Sequence, residues 1–348
     1  MGSGTPRLNN KMYETPDRAT NRETAKKAPG SAKIQRSPAM THRLSIIIPT
    51  YNRPSILPRA VASALAACPE GSEIIVVDDQ SDTAQDALQS VVDDPRLKIV
   101  TNKGDKGAAG ARNFGVGIAR GQVILFLDDD DEMIADYPAR VLAASDQGGA
   151  DFGFSAVLLV NHGADTADNV TLKSWKALQH GVIPANVHLQ HKMPGLCYGV
   201  WVRKAVFQDV GGLCMEQTVD EDGDLFCRLH GLGHACWFDS APGFRVHRAY
   251  ETGSQIAPQL TRSTDPTLET NCRIRTYQKN HEYFPLRSAD RWYLIRRVLR
   301  YAAYKGVDNV AIDFLQDIRP VDWRLQAWLF WKAKKVSARR NRKYRKRP

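Results

Sequence analysis

The stretch VILFLDDDDEM, residues 123–133, decides the fold: five apolar residues run directly into four consecutive aspartates. An apolar run of this length is typical of a strand buried on both faces of a sheet. Carboxylates clustered at the end of a buried strand destabilise the fold unless a cation neutralises them. Mg²⁺ and Mn²⁺ are hard ions that prefer oxygen ligands and are often completed by substrate phosphates. The alternative interpretation is a solvated acidic loop, the commoner fate of charge runs.

The chain around this stretch alternates short apolar runs with segments of helical spacing. Continuous apolar strands that alternate with helices favour an α/β fold with a mostly parallel sheet covered by helices on both faces. The predicted elements are strands at LSIII (44–48), EIIVV (73–77), LKIVT (97–101) and VILFL (123–127), separated by helices at 55–67, 83–92 and 106–121. Residues 161–195 are predicted as loop and short helix.

Polar residues follow three of these strands at their carboxyl ends. In open parallel sheets, ligands bind in the crevice beyond those ends. We therefore predict one ligand site at this edge. It would be lined by Pro49, Thr50, Tyr51, Asp78, Asp79 and the four aspartates of 128–131.

The bulk composition is that of a soluble globular protein. The chain has 348 residues, 43% of them hydrophobic and 25% charged, and its formal net charge is +10. Residues 332–348 contain ten Lys and Arg and no acid, so the excess charge belongs to this segment. We predict a disordered basic arm at 1–42, a main domain at 43–255, a helical C-terminal extension at 256–331 and a basic tail at 332–348.

Two observations predict where the protein resides. No apolar stretch approaches the roughly 20 residues that cross a bilayer, and the first residues lack the apolar core of a secretory signal. We therefore expect a cytoplasmic protein. Residues 291–305 and 323–331 combine aromatic and apolar residues with arginines next to the basic tail. These helices either lie on an anionic membrane surface, at the inner face of the membrane, or pack back onto the main domain.

Five motifs occur in a familiar order: LSIIIPTYNR, VVDDQSD, ARNFGVGIARG, FLDDDD and EDGDLFCRL. Together they resemble family 2 glycosyltransferases of the GT-A fold over about residues 43–250. The resemblance implies an inverting, metal-dependent hexosyltransferase that acts in polysaccharide or glycoconjugate synthesis. Its donor would be a nucleotide-sugar, usually a UDP-sugar. Its acceptor would be a hydroxyl of a sugar, a lipid-linked molecule or another compound.

The resemblance also assigns the donor-binding residues. Pro49, Thr50 and Tyr51 would lie near the nucleoside, and Asp79 would accept a hydrogen bond from the base. The D-x-D motif of the family falls on Asp128, Asp129 and Asp130. Mn²⁺ or Mg²⁺ would bind Asp130, with Asp129 or Asp128 on the ribose or in a second contact. Which of the four aspartates binds the metal stays open, because aspartate stands at every place of the motif.

Two further arginines and a histidine are candidates for the donor side. Arg112 enters a helix, where anions bind well, although it could be an ordinary surface arginine. His247, in FRVHRAY, would contact the metal or the diphosphate by resemblance, and its alternative role is structural. Arg248 could serve the phosphates equally well.

The Glu-Asp pair of the family matches Glu221 and Asp222. By resemblance, Asp222 would be the general base that activates the acceptor hydroxyl. Asp220 and Asp224 are nearby acids that leave this assignment open. Acids at the start of a helix also suit its dipole without any catalytic role.

Three functions other than glycosyl transfer agree less well with the sequence. A sugar nucleotidyltransferase also binds phosphates through carboxylates and a metal, but IIIPTYNRP lacks the Gly-rich loop and basic residue expected after the first strand. A non-catalytic nucleotide-sugar-binding protein would not need the intact acids. Specific nucleic-acid binding is disfavoured, because no nucleic-acid module accompanies the basic tail and the acidic cluster would repel a polyanion.

Overall fold

The structure is a computed structural model that describes residues 43–81, 93–147, 149–162, 169–249 and 265–345. The predicted arm at 1–42 and the predicted helix at 83–92 lie outside these residues. So does the predicted boundary at 255/256 between the main domain and its extension.

The strands and helices form one mixed α/β arrangement. The strands are β1 (Leu44–Thr50), β2 (Glu73–Asp78), β3 (Leu97–Thr101), β4 (Val123–Phe126), β5 (Glu132–Met133), β6 (Phe152–His162), β7 (Asn169–Lys173), β8 (Gly181–Val182), β9 (Trp201–Arg203) and β10 (Cys236–Ala249). The helices are α1 (Leu57–Ala67), α2 (Ala108–Ile118), α3 (Tyr137–Asp146), α4 (Lys204–Asp209), α5 (Glu221–Gly231), α6 (Pro266–Asn280), α7 (Ala289–Lys305), α8 (Asp308–Asp317) and α9 (Val321–Arg345).

The strands make one sheet in the order β3-β2-β1-β4-β9-β6-β10-β5, with β7 on β6 and β8 on β10. Strands β1 to β4 are parallel to one another, whereas β9 pairs antiparallel with both β4 and β6. The chain order reverses between β1 and β4, since β2 and β3 lie on one side of β1 and β4 on the other. This is the switch point at which α/β sheets bind ligands.

Helices cover both faces of the sheet, as the continuous apolar strands predict. Along β1, Leu44, Ile46 and Ile48 pack in the same apolar cluster as α1 and α3. Ile47 points to the opposite face and packs in the cluster of α2, α4 and α5. The predicted α/β fold, with a mostly parallel sheet covered by helices on both faces and a helical C-terminal region, is confirmed.

Helix α2 lies close against the sheet because of a glycine. A Cβ built on Gly115 would lie 2.7 Å from Ile47 Cγ2 and 3.0 Å from Val77 Cγ2. Any side chain there would push the helix off the strands. Gly115 therefore serves the close packing of α2 on the sheet.

Strands β7 and β8 lie within the segment predicted as loop and short helix. Strand β7, NVTLK, is exposed along its length and is held by antiparallel pairing with β6. A strand at the edge of a sheet buries little apolar surface, so the sequence carries little periodic signal for it.

The C-terminal helices pack onto the main domain through a third apolar cluster. Ile295 and Leu299 of α7 are fully buried in it, together with Cys227 of α5 and Leu189 of the 3₁₀ helix Leu189–His191. For α7, therefore, packing onto the main domain is the correct alternative. Helix α9 runs unbroken through the predicted boundary at 331/332. Lys and Arg are good helix formers, so a basic composition does not end a helix.

No helix in the described part of the chain combines the length and apolar character needed to cross a bilayer. The amphipathic character of α9 is therefore that of a helix at the surface of the protein.

Candidate active site

The carboxyl ends of the central strands meet as predicted. Thr50 at the end of β1 stands in register with Asp78 at the end of β2, and Asp78 stands in register with Thr101. Thr50 Oγ1 donates a hydrogen bond of 2.8 Å to Asp129 Oδ2. This bond joins β1 to the loop after β4 across the switch point.

The aspartates after β4 form a compact cluster of oxygen ligands. Asp128, Asp130 and Asp131 each offer a carboxylate oxygen, and these three atoms lie within 4.8 Å of one another. Asp128 is half-buried, whereas Asp130 and Asp131 are buried. A set of carboxylate oxygens this close suits a hard divalent ion.

Two arginines neutralise part of this cluster. Arg53 Nη1 donates to Asp129 Oδ1 at 2.8 Å and to Asp130 Oδ2 at 3.0 Å. Arg112 Nη2 donates to Asp128 Oδ1 at 2.6 Å. The protein's own cations thus stabilise the cluster from its sides.

The pKa values of the buried acids show that this compensation is incomplete. Burial, together with the charges of Asp128 and Asp129, raises the pKa of Asp130 to about 6. Burial, and then the charge of Asp128, raises the pKa of Asp131 well above its usual range. The raised pKa values mean that the charged forms of these carboxyls are less favoured than in an exposed aspartate, and a bound cation would favour the charged forms that bind it. The residues present therefore fit a divalent ion.

Asp79 and Tyr51 lie on the β2 side of the switch point. The carboxylate of Asp79 accepts from Asn102 Nδ2 at 2.8 Å and from the Gly107 backbone N–H at 2.7 Å. The Tyr51 ring is about half exposed and has Lys106 Nζ 4.5 Å from its centroid. Pro49 lies within β1. An exposed ring beside a buried, oriented carboxylate can stack on a base and accept its N–H.

Arg112 connects this cluster to a second group of acids. Its side chain is 8% exposed, and its Nη1 donates to Glu221 Oε1 at 3.1 Å. Burial opposes the charge on Arg112, but Asp128 and Glu221 outweigh burial and raise its pKa. The structure thus places Arg112 as a buried bridge between the two acid groups, with both partners carboxylates of this chain.

Asp222 occupies the first turn of α5, beside Glu221. Burial, with the nearby Asp220, raises the pKa of Asp222. Its Oδ1 accepts from the Gly223 N–H at 2.6 Å, and a Cβ built on Gly195 would lie 3.3 Å from its Oδ2. An oriented carboxylate with a raised pKa, next to a glycine that leaves space, has the properties of a general base.

His247 is the middle member of a row of three contacting side chains next to the aspartates. Its Nε2 lies 2.7 Å from Glu132 Oε1, its Nδ1 lies 2.7 Å from His162 Nε2, and its backbone N–H donates to Asp131 Oδ1 at 2.9 Å. The structure therefore brings His247 to Asp131 through its backbone, while both ring nitrogens contact other side chains. Arg248 Nη2 lies 3.5 Å from the hydroxyl of Tyr198.

Sequence reasoning left open whether Asp131 is a metal ligand, and it overlooked Arg53 as the partner of the aspartates. Arg53 follows β1 directly in PTYNRP, at the same sheet edge, so its position after a predicted strand was an available signal. No signal of this kind favoured Asp131 over its three neighbours.

The fold and this site define a class: an α/β protein with an aspartate cluster that suits a hard cation at the switch point of its sheet, joined through Arg112 to a second group of acids. Residues 45–211 match the model described as glycosyl transferase family 2. This segment is therefore a glycosyltransferase family 2 domain.

Curated relatives match this part of the chain. The succinoglycan biosynthesis protein ExoO of Rhizobium meliloti is 37% identical over 107 residues, covering 31% of each protein. A GalNAc(5)-diNAcBac-PP-undecaprenol beta-1,3-glucosyltransferase of Campylobacter jejuni is 36% identical over 109 residues, covering 30% of this chain and 35% of the relative. The chain thus spans about a third of the length of these relatives.

A solved structure shares the fold over most of the chain. The crystal structure of S. aureus TarS 1-349 in complex with UDP-GlcNAc matches with a TM-score of 0.64 and 16% sequence identity. The match covers 85% of this chain and 89% of that one. At this identity the likeness concerns the fold alone.

Proposed function

We propose that the protein transfers a sugar from a nucleotide-sugar, a UDP-sugar, to an acceptor hydroxyl in one displacement that inverts the sugar carbon. The observation that carries this proposal is the placement of two acid groups on either side of Arg112. The cluster of Asp128, Asp130 and Asp131 lies at the switch point, and Asp222 lies on the facing helix. A transferase of this kind needs a leaving-group side and an attacking side.

On the leaving side, Asp128, Asp130 and Asp131 would hold a divalent ion, Mn²⁺ or Mg²⁺. Bound there, the ion would supply Lewis-acid stabilisation of the diphosphate as it leaves. Asp129 is held by Thr50 and Arg53, which suits it to orient the donor rather than to exchange protons. Tyr51 and Asp79 would hold the base of the nucleotide.

On the attacking side, Asp222 would accept the proton of the acceptor hydroxyl. The hydroxyl oxygen forms the new bond to the sugar carbon while the bond from that carbon to the diphosphate oxygen breaks. The raised pKa of Asp222 makes its carboxylate a stronger base than an exposed aspartate. Glu221, paired with Arg112, would keep Asp222 and the leaving side in a fixed relation.

A lipid-linked acceptor is supported by the activities for which relatives are named. A relative from Escherichia coli that is 39% identical over 92 residues is named UDP-Glc:alpha-D-GlcNAc-diphosphoundecaprenol beta-1,3-glucosyltransferase WfgD. Such an acceptor is confined to a membrane. The proposal therefore includes attachment of this chain to an anionic membrane surface.

Helix α9 carries a surface suited to that attachment. Its outward apolar residues are 44 to 63% exposed and fall on one helical face: Val321, Leu325, Trp328, Leu329 and Val336. Lys332 falls on the same face by its spacing, and its Nζ lies 5.3 Å from the centroid of the Trp328 ring. Apolar residues interleaved with cations are the pattern of a helix that lies in an anionic lipid interface.

The transfer is tested by a panel of nucleotide-sugars incubated with the protein, with Mn²⁺ or with a chelator. Metal-dependent release of UDP from one donor, increased by a lipid-diphosphate saccharide, supports the proposal. Donor binding without release identifies a non-catalytic binding protein. Release of pyrophosphate from UTP and a sugar phosphate identifies a nucleotidyltransferase. Either result would overturn the proposal.

Membrane attachment is tested by cosedimentation with vesicles that contain anionic lipid. Binding at low salt that is lost in Leu325→Glu/Leu329→Glu supports it. The matched control is Leu268→Glu, a change at a comparably exposed leucine of α6. Equal binding by both variants, or no binding by the wild-type protein, would rule this surface out.

A further inference from the structure

Asp220 lies two residues before the proposed base and has an unusual backbone conformation. It is the N-terminal cap residue of α5, and its φ of 68° lies in the left-handed region that side chains other than glycine rarely adopt. Its side chain is only 2% exposed. A strained, buried, charged residue next to Glu221 and Asp222 requires partners that hold it in place.

These partners come from the C-terminal helices. Arg297 of α7 reaches both carboxylate oxygens of Asp220, with Nη1 3.1 Å from Oδ2 and Nη2 bonded to Oδ1. Thr276 of α6 donates from Oγ1 to Asp220 Oδ2 at 2.8 Å. Gln217 Nε2 donates in turn to Thr276 Oγ1 at 2.8 Å. A two-pronged arginine contact of this kind fixes orientation as well as charge.

The glycine of the E-D-G-D motif makes room for the guanidinium. A Cβ built on Gly223 would lie 2.8 Å from both Nη1 and Nη2 of Arg297. The same residue donates its backbone N–H to Asp222 Oδ1 at 2.6 Å. The guanidinium of Arg297 and the carboxylate of Asp222 thus both lie against Gly223.

A second contact, from α6, holds the first turn of α5. Asn280 Nδ2 of α6 donates to Asp224 Oδ1 at 2.7 Å, and Arg228 holds the other oxygen at 2.7 Å. The first turn of α5 is therefore fixed by α6 and α7 on its outer side.

We propose that the C-terminal extension positions the catalytic base, with Arg297 and Thr276 acting on Asp222 through Asp220. They are positioning residues, because the hydrogen bonds that they make to this turn of α5 are to Asp220. The proposal rests on the proposed function, because it requires Asp222 to be the base. It assigns to the added helices a part in the chemistry beyond stabilising the domain.

The test compares Arg297→Met with Arg300→Met, a change at an exposed arginine one turn along the same helix. We expect Arg297→Met to lower kcat about 100-fold, because a base displaced by about 1 Å loses that much. The KM for the donor should change less than about 3-fold, since donor contacts lie on the other acid group. Arg300→Met should match the wild-type protein in both constants.

A second variant covers the case in which Arg297→Met fails to fold. Thr276→Val keeps the size of the side chain and removes one hydrogen bond to Asp220. We expect it to lower kcat about 5-fold at unchanged donor KM, and a double variant with Arg297→Lys should be worse than either single variant. Unchanged kcat in folded Arg297→Met or Thr276→Val would overturn the proposal. Equal losses in kcat and donor affinity would show a merely structural role.

Failure of the proposed function is recognised separately. If the wild-type protein releases no UDP, or if Asp222→Asn retains normal turnover, the base assignment itself is wrong. If Asp222→Asn is inactive and Arg297→Met is fully active, only the positioning role is wrong.

Discussion

The two acid groups of the site are held by different parts of the chain. The aspartates 128–131 are neutralised by Arg53 and Arg112, which lie within residues 45–211, the segment that matches the family. The acids of 220–224 are held by Arg297, Thr276 and Asn280 from the C-terminal helices, outside that segment. In the proposed mechanism, the donor end would lie mostly within the matched segment, whereas the acceptor end would depend on helices outside it.

This difference matches the demands of the two ends. A nucleotide and a diphosphate are common to many reactions, so one arrangement of β1, β2 and β4 can serve them all. An acceptor differs from enzyme to enzyme, so the residue that activates it is best placed by elements that can vary. A substitution at the donor end should therefore change a different measured constant from a substitution at the acceptor end.

The largest expected effect is on Asp222. Asp222→Asn keeps the shape of the side chain and removes the base, so transfer should fall about 1000-fold. Binding of UDP with Mn²⁺, measured by calorimetry, should remain, because the donor end does not include this residue. Near-normal turnover in this variant would show that another group accepts the proton.

The next effect distinguishes members of the aspartate cluster. Asp131→Asn should weaken Mn²⁺ binding about 100-fold, because a carboxylate oxygen of the three-residue set is lost. Asp129→Asn is the matched control, since Asp129 is held by Thr50 and Arg53 and lies outside that set. The two affinities are measured by titration with Mn²⁺. Equal loss in both variants would contradict the assignment of ligands.

Arg112→Met tests the bridge between the two ends. Removing a buried cation leaves Asp128 and Glu221 without their partner, so the free energy of unfolding should fall by about 3 kcal/mol. Denaturant titration measures this change. Arg300→Met, at an exposed position, should change it by less than about 0.5 kcal/mol. A similar change in both variants would mean that the bridge contributes little.

The smallest effect concerns the pH dependence of stability. Burial, and then the charge of Asp222, raises the pKa of Glu221 to about 7 from 4.5. The folded protein therefore keeps a proton that the unfolded chain releases, so the free energy of unfolding falls as pH rises through this window. Glu221→Gln should flatten that slope by about 1 kcal/mol per pH unit inside the window, because one bound proton changes stability by about 1.4 kcal/mol per pH unit at most. An unchanged slope in denaturant titrations at several pH values would contradict the raised pKa.

The sequence predicts the first half of the sheet well, for a physical reason. Strands β1, β2 and β4 are buried on both faces, so most of their residues are apolar, and runs such as EIIVV and VILF indicate them. The polar residues that end such runs then meet at one edge, which is why Thr50 and Asp129 could be expected near each other.

The remaining contacts could not be predicted, because they join residues far apart in the chain. Arg297 is one of several arginines in RWYLIRRVLR, and nothing in that stretch distinguishes the one that turns inward to Asp220. The same holds for Arg112, whose partners Asp128 and Glu221 are brought together only by the fold. The strand β7 likewise depends on its distant partner β6.

Helix α9 also determines how far from the membrane the chemistry would take place. It is a single helix of 25 residues, about 37 Å long, and Trp323 and Trp331 fix it to the main domain while Lys335 is bonded to Asp308 of α8. A flexible tether would let the domain roam over the lipid surface. In the proposed membrane attachment, a rod anchored along its length would instead set one height and one tilt, so that only acceptors whose sugar protrudes to that height would meet Asp222.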